Sequence, residues 1–304
     1  MVAISLAVIV WPALSRADGG FALLRRRHAL TTHVFVDDTY RQPAAEPPRE
    51  LFVKVRYPAP LGANVAYVSP PKKGARRPAI VWIAGGFDWG IDPGSWTRAP
   101  RENDQSARAF REAGIVLMRP ALRGSNDNPG RNECFLGEVD DVLAAADFLA
   151  KRSDVDPHRI YLGGHSTGGT LALLSAESSD RFRAVFAFGP IGDPRHYGER
   201  SCVPAGAPAE ELALRAPINF IQDIRTPTFV IEGASSGLAR AFPFFEQRRG
   251  DAPVRFFVVP GASHFSVLAP GTEVIARAIL ADTAATPHFD FTAESLVRAL
   301  TTDH

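Results

Sequence analysis

The residues best suited to chemistry lie in Gly164-His165-Ser166-Thr167-Gly168, a G-x-S-x-G motif. It follows a short apolar run and opens an apolar stretch typical of a helix, which is the strand–turn–helix setting of a nucleophile elbow. The two glycines leave room for a sharp turn, and the helix N-terminus would stabilise negative charge that develops there. We therefore predict that Ser166 is a nucleophile; the alternative is a glycine-rich turn with an incidental serine.

A serine hydroxyl becomes a good nucleophile when a general base takes its proton, and histidine is the usual base near neutral pH. Among eight histidines, His264 lies directly after the last apolar run and before a helical stretch. We predict that His264 is the base. His165 adjoins the nucleophile, but at an elbow its side chain should point away, which predicts a structural role.

Short apolar runs without alternation recur between helical stretches, and such runs form strands buried on both faces of a parallel sheet. An edge hairpin is expected at 51–57 and 63–68. The remaining strands are predicted at 79–84, 114–118, 159–162, 182–188, 227–231 and 254–259, and the helices at 102–113, 138–152, 168–178, 239–249 and 272–282. The pattern predicts a three-layer α/β domain, with a mostly parallel sheet of about eight strands covered by helices on both faces.

Three segments, at 119–125, 137–149 and 154–166, resemble the α/β-hydrolase superfamily, and most closely the catalytic domain of the prolyl oligopeptidase and dienelactone hydrolase group. The resemblance extends over about residues 51–280 and implies the α/β-hydrolase fold. It also implies a triad in the order serine, acid, histidine, and His264 stands where that group carries its catalytic histidine.

The acid departs from the usual pattern, because Ser236 stands where related hydrolases carry aspartate. Glu232, at the end of the strand predicted at 227–231, is similar to the catalytic glutamate of cholinesterase-like hydrolases. Asp193 follows the strand predicted at 182–188, a position that some lipases use. We favour Glu232 and keep Asp193 as the alternative; a purely structural Glu232 also stays open.

Two N–H donors are needed for the oxyanion of a tetrahedral intermediate. One is expected to be the amide of Thr167, which follows the nucleophile. The other is expected from the loop at 83–88, which resembles the His-Gly-Gly loop of the superfamily with Ala84 in place of histidine. Gly86 and Phe87 are both candidates.

Four regions are expected along the chain. Residues 1–17 resemble a secretory signal peptide, although no basic residue precedes the apolar run. Residues 18–50 are expected to be an extension and Pro-rich linker with a short strand at 31–36, and residues 51–304 the hydrolase domain, with a possible lid at 196–223. The segment at 208–214 should be helical, and 217–224 is expected to start another helix. Export predicts a secreted or periplasmic protein; a cytoplasmic location is the alternative.

The two cysteines, Cys134 and Cys202, would be able to pair in an oxidising compartment, although two free thiols are an equal alternative. Neither lies in a spacing typical of metal ligands, so no metal and no cofactor are expected. With 34 basic and 33 acidic residues in 304, the formal net charge is +1, which argues against nucleic acid as the main partner. No second apolar run is long enough to span a bilayer.

These features predict a serine hydrolase that cleaves a small ester or a peptide through an acyl-enzyme. Two alternatives share the same fold: a binding protein that has lost its acid, and an acyltransferase that uses the same nucleophile with an acceptor other than water.

Overall fold

The central strands form because apolar, β-branched and aromatic residues follow one another without polar interruption, so both faces of each strand are buried. The computed structural model describes residues 21–36, 41–204 and 206–301. Its strands are β1 (Val53–Ala59), β2 (Gly62–Val68), β3 (Arg77–Ile83), β4 (Val116–Pro120), β5 (Val155–His165), β6 (Val185–Phe188), β7 (Thr228–Gly233) and β8 (Val254–Val259).

The eight strands form one sheet in the order β1-β2-β4-β3-β5-β6-β7-β8. β1 pairs with β2, and β2 with β4, in antiparallel fashion. All other neighbours are parallel. The predicted hairpin and mostly parallel sheet are confirmed, and the carboxyl ends of β5, β6 and β7 lie side by side at one edge of the sheet.

Two apolar layers flank the sheet, because successive side chains of a strand point to opposite faces. In β3, Val81 and Ile83 belong to one layer, while Ile80 and Trp82 belong to the other. The helices are α1 (Ala22–Ala29), α2 (Arg108–Glu112), α3 (Glu138–Ala150), α4 (Thr167–Ser178), α5 (Ala209–Leu214), α6 (Phe242–Arg248), α7 (Leu268–Ala281) and α8 (Ala293–Thr301). Helices α2, α7 and α8 share one layer, and α1 and α3–α6 share the other, which confirms the three-layer α/β architecture.

The N-terminal extension differs from the prediction. Residues 22–29 form helix α1 and not part of a linker, because Leu23 and Arg27 lie one turn apart and are both buried. The strand predicted at 31–36 is wrong; only Val36 makes an isolated bridge, to Asn132. The predicted signal peptide at 1–17 lies outside the described residues.

Two predicted helices differ from the structure more than the others do. The one at 102–113 is reduced to a 3₁₀ turn at Arg101–Asn103 and to α2. Between them Asp104 accepts hydrogen bonds from the Ser106 amide and hydroxyl, and Ala107 has a left-handed backbone with φ of 55°. The segment at 217–224 forms two 3₁₀ turns. Helix α8 had no counterpart in the prediction.

Candidate active site

Ser166 lies at the sharp turn between β5 and α4. Its backbone has φ of 57° and ψ of −116°, a conformation that non-glycine residues seldom adopt and that costs on the order of 1–3 kcal/mol. The Ser166 amide donates a 2.7 Å hydrogen bond to the carbonyl of Phe188 at the end of β6. The neighbouring strand therefore holds the elbow in place.

The glycines around Ser166 are required by close backbone contacts. A Cβ on Gly164 would lie 2.3 Å from the carbonyl oxygen of Gly168, and a Cβ on Gly168 would lie 2.3 Å from that of Ile83. A Cβ on Gly169 would lie 2.4 Å from the carbonyl oxygen of Phe188. Only glycine allows strand and helix to approach this closely, so the spacing in the motif has a steric cause.

His264 and Glu232 form a hydrogen-bonded pair next to the elbow. His264 Nδ1 lies 2.8 Å from Glu232 Oε2, with the imidazole 18% exposed and the carboxylate fully buried. Glu232 Oε1 accepts a 2.6 Å hydrogen bond from the Gly233 amide, which fixes the carboxylate. The structure thus brings two of the predicted site residues together.

The pair fits because Gly189 follows β6. A Cβ at Gly189 would lie 2.4 Å from His264 Cε1 and 2.5 Å from Glu232 Oε2. Gly189 also has φ of 55°, a backbone conformation that favours glycine. The absence of a side chain at Gly189 therefore leaves the space that His264 and Glu232 occupy.

The structure does not place the alternative acid, Asp193, against His264. Its carboxylate accepts from the amide of Arg195 and pairs with the guanidinium of the same residue. Asp193 thereby caps the following 3₁₀ helix. Ser236, where an aspartate was expected, caps another 3₁₀ turn by accepting from the Leu238 amide.

Hydrogen bonds join the start of α4 to the loop at 83–88, the two segments predicted to supply the oxyanion donors. The Thr167 hydroxyl donates to the carbonyl of Gly86, and Trp89 Nε1 donates to that hydroxyl. The carbonyl of Phe87 accepts a 2.7 Å hydrogen bond from Asn132. The loop that holds both candidates therefore lies against the start of α4, while the choice between their amides stays a prediction.

His165 has a contact with the site that the sequence did not reveal. Its ring centroid lies 4.4 Å from that of His264, and its Nε2–H donates a 3.1 Å hydrogen bond to the His264 carbonyl. Burial, and next the neighbouring His264, lower the pKa of His165 to about 3, so the ring stays neutral at physiological pH. A neutral His165 fixes the loop that carries His264 to the strand that carries Ser166.

Tyr197 lies near the nucleophile, and the sequence analysis did not single it out. It lies in the 3₁₀ helix Pro194–Arg200, at the start of the lid segment (residues 196–223). Its hydroxyl lies 2.9 Å from Thr170 Oγ1, one turn after Ser166 on α4. Between Ser166 and His264, both within the described chain, the structure has no hydrogen bond; catalytic hydrogen bonds of this kind often form fully only with substrate bound.

The lid segment is attached to the loop at 133–136. Cys134 and Cys202 form a disulfide, with 5.7 Å between their Cα atoms. Arg215, fully buried, donates to the Cys134 carbonyl and pairs with Glu211 at 2.7 Å. Helix α5 lies in this segment, which is docked on the domain rather than standing away from it.

A membrane-spanning helix and a metal-binding cluster were searched for among the described residues, and neither is found there. No helix among residues 21–36, 41–204 and 206–301 combines the length and apolar character that a bilayer span needs. Within the same residues, no three histidine, cysteine, aspartate or glutamate side chains cluster as metal ligands do.

Comparison with known proteins yields a family match and several relatives. The profile of the prolyl oligopeptidase family matches residues 102–276. An uncharacterised peptidase of Bacillus subtilis, YtmA, is 30% identical over 137 residues, which are 41% of this chain and 53% of that protein. The chain thus matches about half the length of this relative.

Solved structures share the fold at low sequence identity. A puromycin-hydrolysing peptidase of Mycobacterium tuberculosis is 21% identical, with a TM-score of 0.60 over 76% of this chain and 39% of that one. An esterase of Pyrobaculum calidifontis is 20% identical, with a TM-score of 0.56 over 77% of this chain and 86% of that one. The likeness confirms the α/β-hydrolase fold; what each neighbour cleaves is known for that neighbour alone.

Proposed function

The chain belongs to the prolyl oligopeptidase family, and on this premise we propose that it cleaves an ester or peptide bond through a covalent acyl-enzyme on Ser166. The observation that carries the proposal is the 2.8 Å contact between buried Glu232 and His264, beside the strained elbow. A carboxylate in this place orients the imidazole and stabilises the imidazolium that forms when the histidine takes a proton.

Acylation would use Ser166 as the nucleophile and His264 as the group that carries the proton. Ser166 Oγ forms a bond to the carbonyl carbon of the substrate, while His264 Nε2 takes the hydroxyl proton. The tetrahedral intermediate then breaks its bond to the leaving group, which receives that proton from His264. In deacylation a water molecule repeats the sequence, releasing the acid and returning the proton to Ser166.

We assign oxyanion stabilisation to the Thr167 amide and to one amide of the Gly86–Phe87 loop. These groups belong to a helix start and to a loop pinned by hydrogen bonds, so they need little rearrangement as charge develops. The N-terminus of α4 adds its positive dipole end at the same place.

Aromatic side chains at the site support a substrate with an apolar group. Phe87 and Tyr197 pack edge to face at 5.1 Å, and Phe265, beside His264, is 43% exposed. Such surfaces bind apolar acyl or side-chain groups. We propose a small ester or a short peptide as substrate.

Turnover with two artificial substrates tests the proposal. The protein should hydrolyse p-nitrophenyl butyrate, an aminoacyl p-nitroanilide, or both; Ser166→Ala should abolish this turnover. Ser175→Ala, which changes another serine of α4 that bonds only within its helix, should leave turnover intact. A folded protein that turns over neither substrate would instead favour the binding-protein alternative.

We further propose that the protein works in an oxidising compartment, secreted or periplasmic. The disulfide supports this location, because such bonds persist there and are rare in the cytosol. Cell fractionation tests it: recovery of the protein from the cytosol with two free thiols would refute the proposed location.

A further inference from the structure

Asn132 is a buried polar side chain that contacts the oxyanion loop (residues 83–88). Its amide makes two hydrogen bonds, both to backbone groups. Nδ2 donates to the Phe87 carbonyl at 2.7 Å, and Oδ1 accepts from the Cys134 amide at 2.9 Å. Turning the side-chain amide around would set oxygen against oxygen and N–H against N–H, so the two bonds fix its orientation. Asn132 therefore joins the oxyanion loop to the loop that carries Cys134.

The backbone on either side of this amide is itself held in place. The Asn132 carbonyl accepts a 2.9 Å hydrogen bond from the Val36 amide. Cys134 and Phe135 have left-handed backbones, with φ of 53° and 70°, conformations that persist only where surrounding contacts impose them. The disulfide is one such contact, and the Arg215 guanidinium, which donates to the Cys134 carbonyl at 2.9 Å, is another. Asn132 thus holds the oxyanion loop from a fixed position.

Two successive carbonyls of the oxyanion loop are held by side chains. The Gly86 carbonyl accepts from the Thr167 hydroxyl, and the Phe87 carbonyl accepts from Asn132. Because a peptide unit is planar, a fixed carbonyl also fixes the direction of the N–H in the same unit. The peptide units on both sides of Phe87 are therefore held, and neither can rotate without losing a hydrogen bond. An oxyanion donor needs this constraint, because it acts only while its N–H points at the oxygen.

We propose that Asn132 is a positioning residue for the oxyanion hole: its side-chain amide holds the oxyanion loop in the conformation in which a loop amide points at the oxyanion. The inference rests on the proposed function. Asn132 exchanges no proton and acts through the backbone of Phe87. A donor fixed in advance stabilises the transition state more than the bound substrate, so the loss of Asn132 should lower kcat and leave KM almost unchanged.

Two variants, Asn132→Ala and Asn132→Ser, test the proposal. A serine hydroxyl accepts from the amide two residues on, as in turns, but it is too short to reach the Phe87 carbonyl. The serine variant therefore keeps the local turn at Cys134 and loses only the bond to the oxyanion loop. Both variants should lower kcat for p-nitrophenyl butyrate about 10- to 100-fold, which is less than the loss of an oxyanion donor itself. KM should change less than about threefold.

Binding of a trifluoromethyl ketone is a measurement that a general loss of packing would not change. Ser166 Oγ adds to the carbonyl carbon of this inhibitor, His264 takes the hydroxyl proton, and no leaving group departs. The adduct carries an oxyanion and so resembles the tetrahedral intermediate, which makes it an analogue of the transition state. Its inhibition constant should rise in both variants by the factor by which kcat/KM falls.

Asn128→Ala is the matched control. Asn128 is also buried, and its side chain also bridges two backbone groups: it accepts from the Val65 amide at 2.7 Å and donates to the Leu122 carbonyl at 3.0 Å. Neither group belongs to the oxyanion loop. The control variant should lower the urea midpoint of unfolding, as Asn132→Ala does, and leave kcat and the inhibition constant unchanged.

Several results would overturn the inference: an unchanged kcat in either folded variant of Asn132, an inhibition constant that stays at the wild-type value while kcat falls, or an equal fall of kcat in Asn128→Ala. Should Asn132→Ala fail to fold, Asn132→Ser carries the test; if neither folds, Asn132 serves the fold as a whole and the inference is also lost. A folded wild-type protein that hydrolyses no substrate and takes up no fluorophosphonate would refute the proposed function itself, so the two failures are distinguishable.

Discussion

Replacing Glu232 by glutamine keeps the shape of the side chain and removes its charge. The carboxylate contacts His264 Nδ1 at 2.8 Å and is fully buried, so solvent screens the pair little. With charge centres about 4 Å apart and an effective dielectric constant of about 20, the attraction lost on the imidazolium is about 4 kcal/mol. At 1.36 kcal/mol per factor of ten, kcat should fall about 10³-fold.

The assay compares kcat and KM for p-nitrophenyl butyrate in Glu232→Gln and Asp193→Asn. Asp193 pairs with Arg195 and not with His264, so Asp193→Asn should keep kcat within about threefold. Glu232→Asp, which withdraws the carboxylate by one methylene, should fall between the wild type and the glutamine variant. A Glu232→Gln enzyme that retains a tenth of wild-type kcat, or an equal loss in Asp193→Asn, would refute the assignment of the acid.

Three further predictions concern stability and packing. The pKa of His165 is lowered by burial to about 3, against about 6.5 when unfolded. Between these two pKa values the unfolded state binds more protons, so the free energy of unfolding must fall as the pH drops through this range. In urea unfolding, His165 should lower the free energy of unfolding by about 2 kcal/mol from pH 7 to pH 5. The variant His165→Gln should lack this part of the pH dependence. Removing the disulfide, which spans 68 residues, with Cys202→Ser should lower the free energy of unfolding by up to about 4 kcal/mol; equal midpoints with and without reductant would contradict this. Gly189→Ala should push His264 from Glu232 and lower kcat at least about tenfold, and unchanged kcat would show that the loop yields.

Sequence patterning was sufficient for the parts of the molecule that depend on local rules. The order of the eight strands and of helices α2–α7, and the elbow at Ser166, follow from apolar runs, from the glycine spacing and from the resemblance that they carry. Placing Glu232 at the end of β7 and His264 after β8 also follows, because the carboxyl ends of neighbouring parallel strands meet at one edge.

The remainder depends on contacts between distant segments. Tyr197 reaches Thr170 on α4 only because the lid segment folds back on the loop at 133–136, which no local pattern encodes. Helix α1 was not predicted, because the prolines at 43–48 were taken to exclude a helix from the whole extension and not only from their own part of it. What anchors α1 is the burial of Arg27, whose guanidinium donates to the carbonyls of Leu214 and Leu136.

The most direct test of the central claim is to locate a covalent label. A fluorophosphonate should modify the folded wild-type protein at one equivalent, and mass spectrometry of its peptides should place the adduct on Ser166. Labelling should disappear in Ser166→Ala and slow greatly in His264→Ala, since the hydroxyl then lacks its base. A label on another residue, or a folded protein that takes up none, would contradict the account.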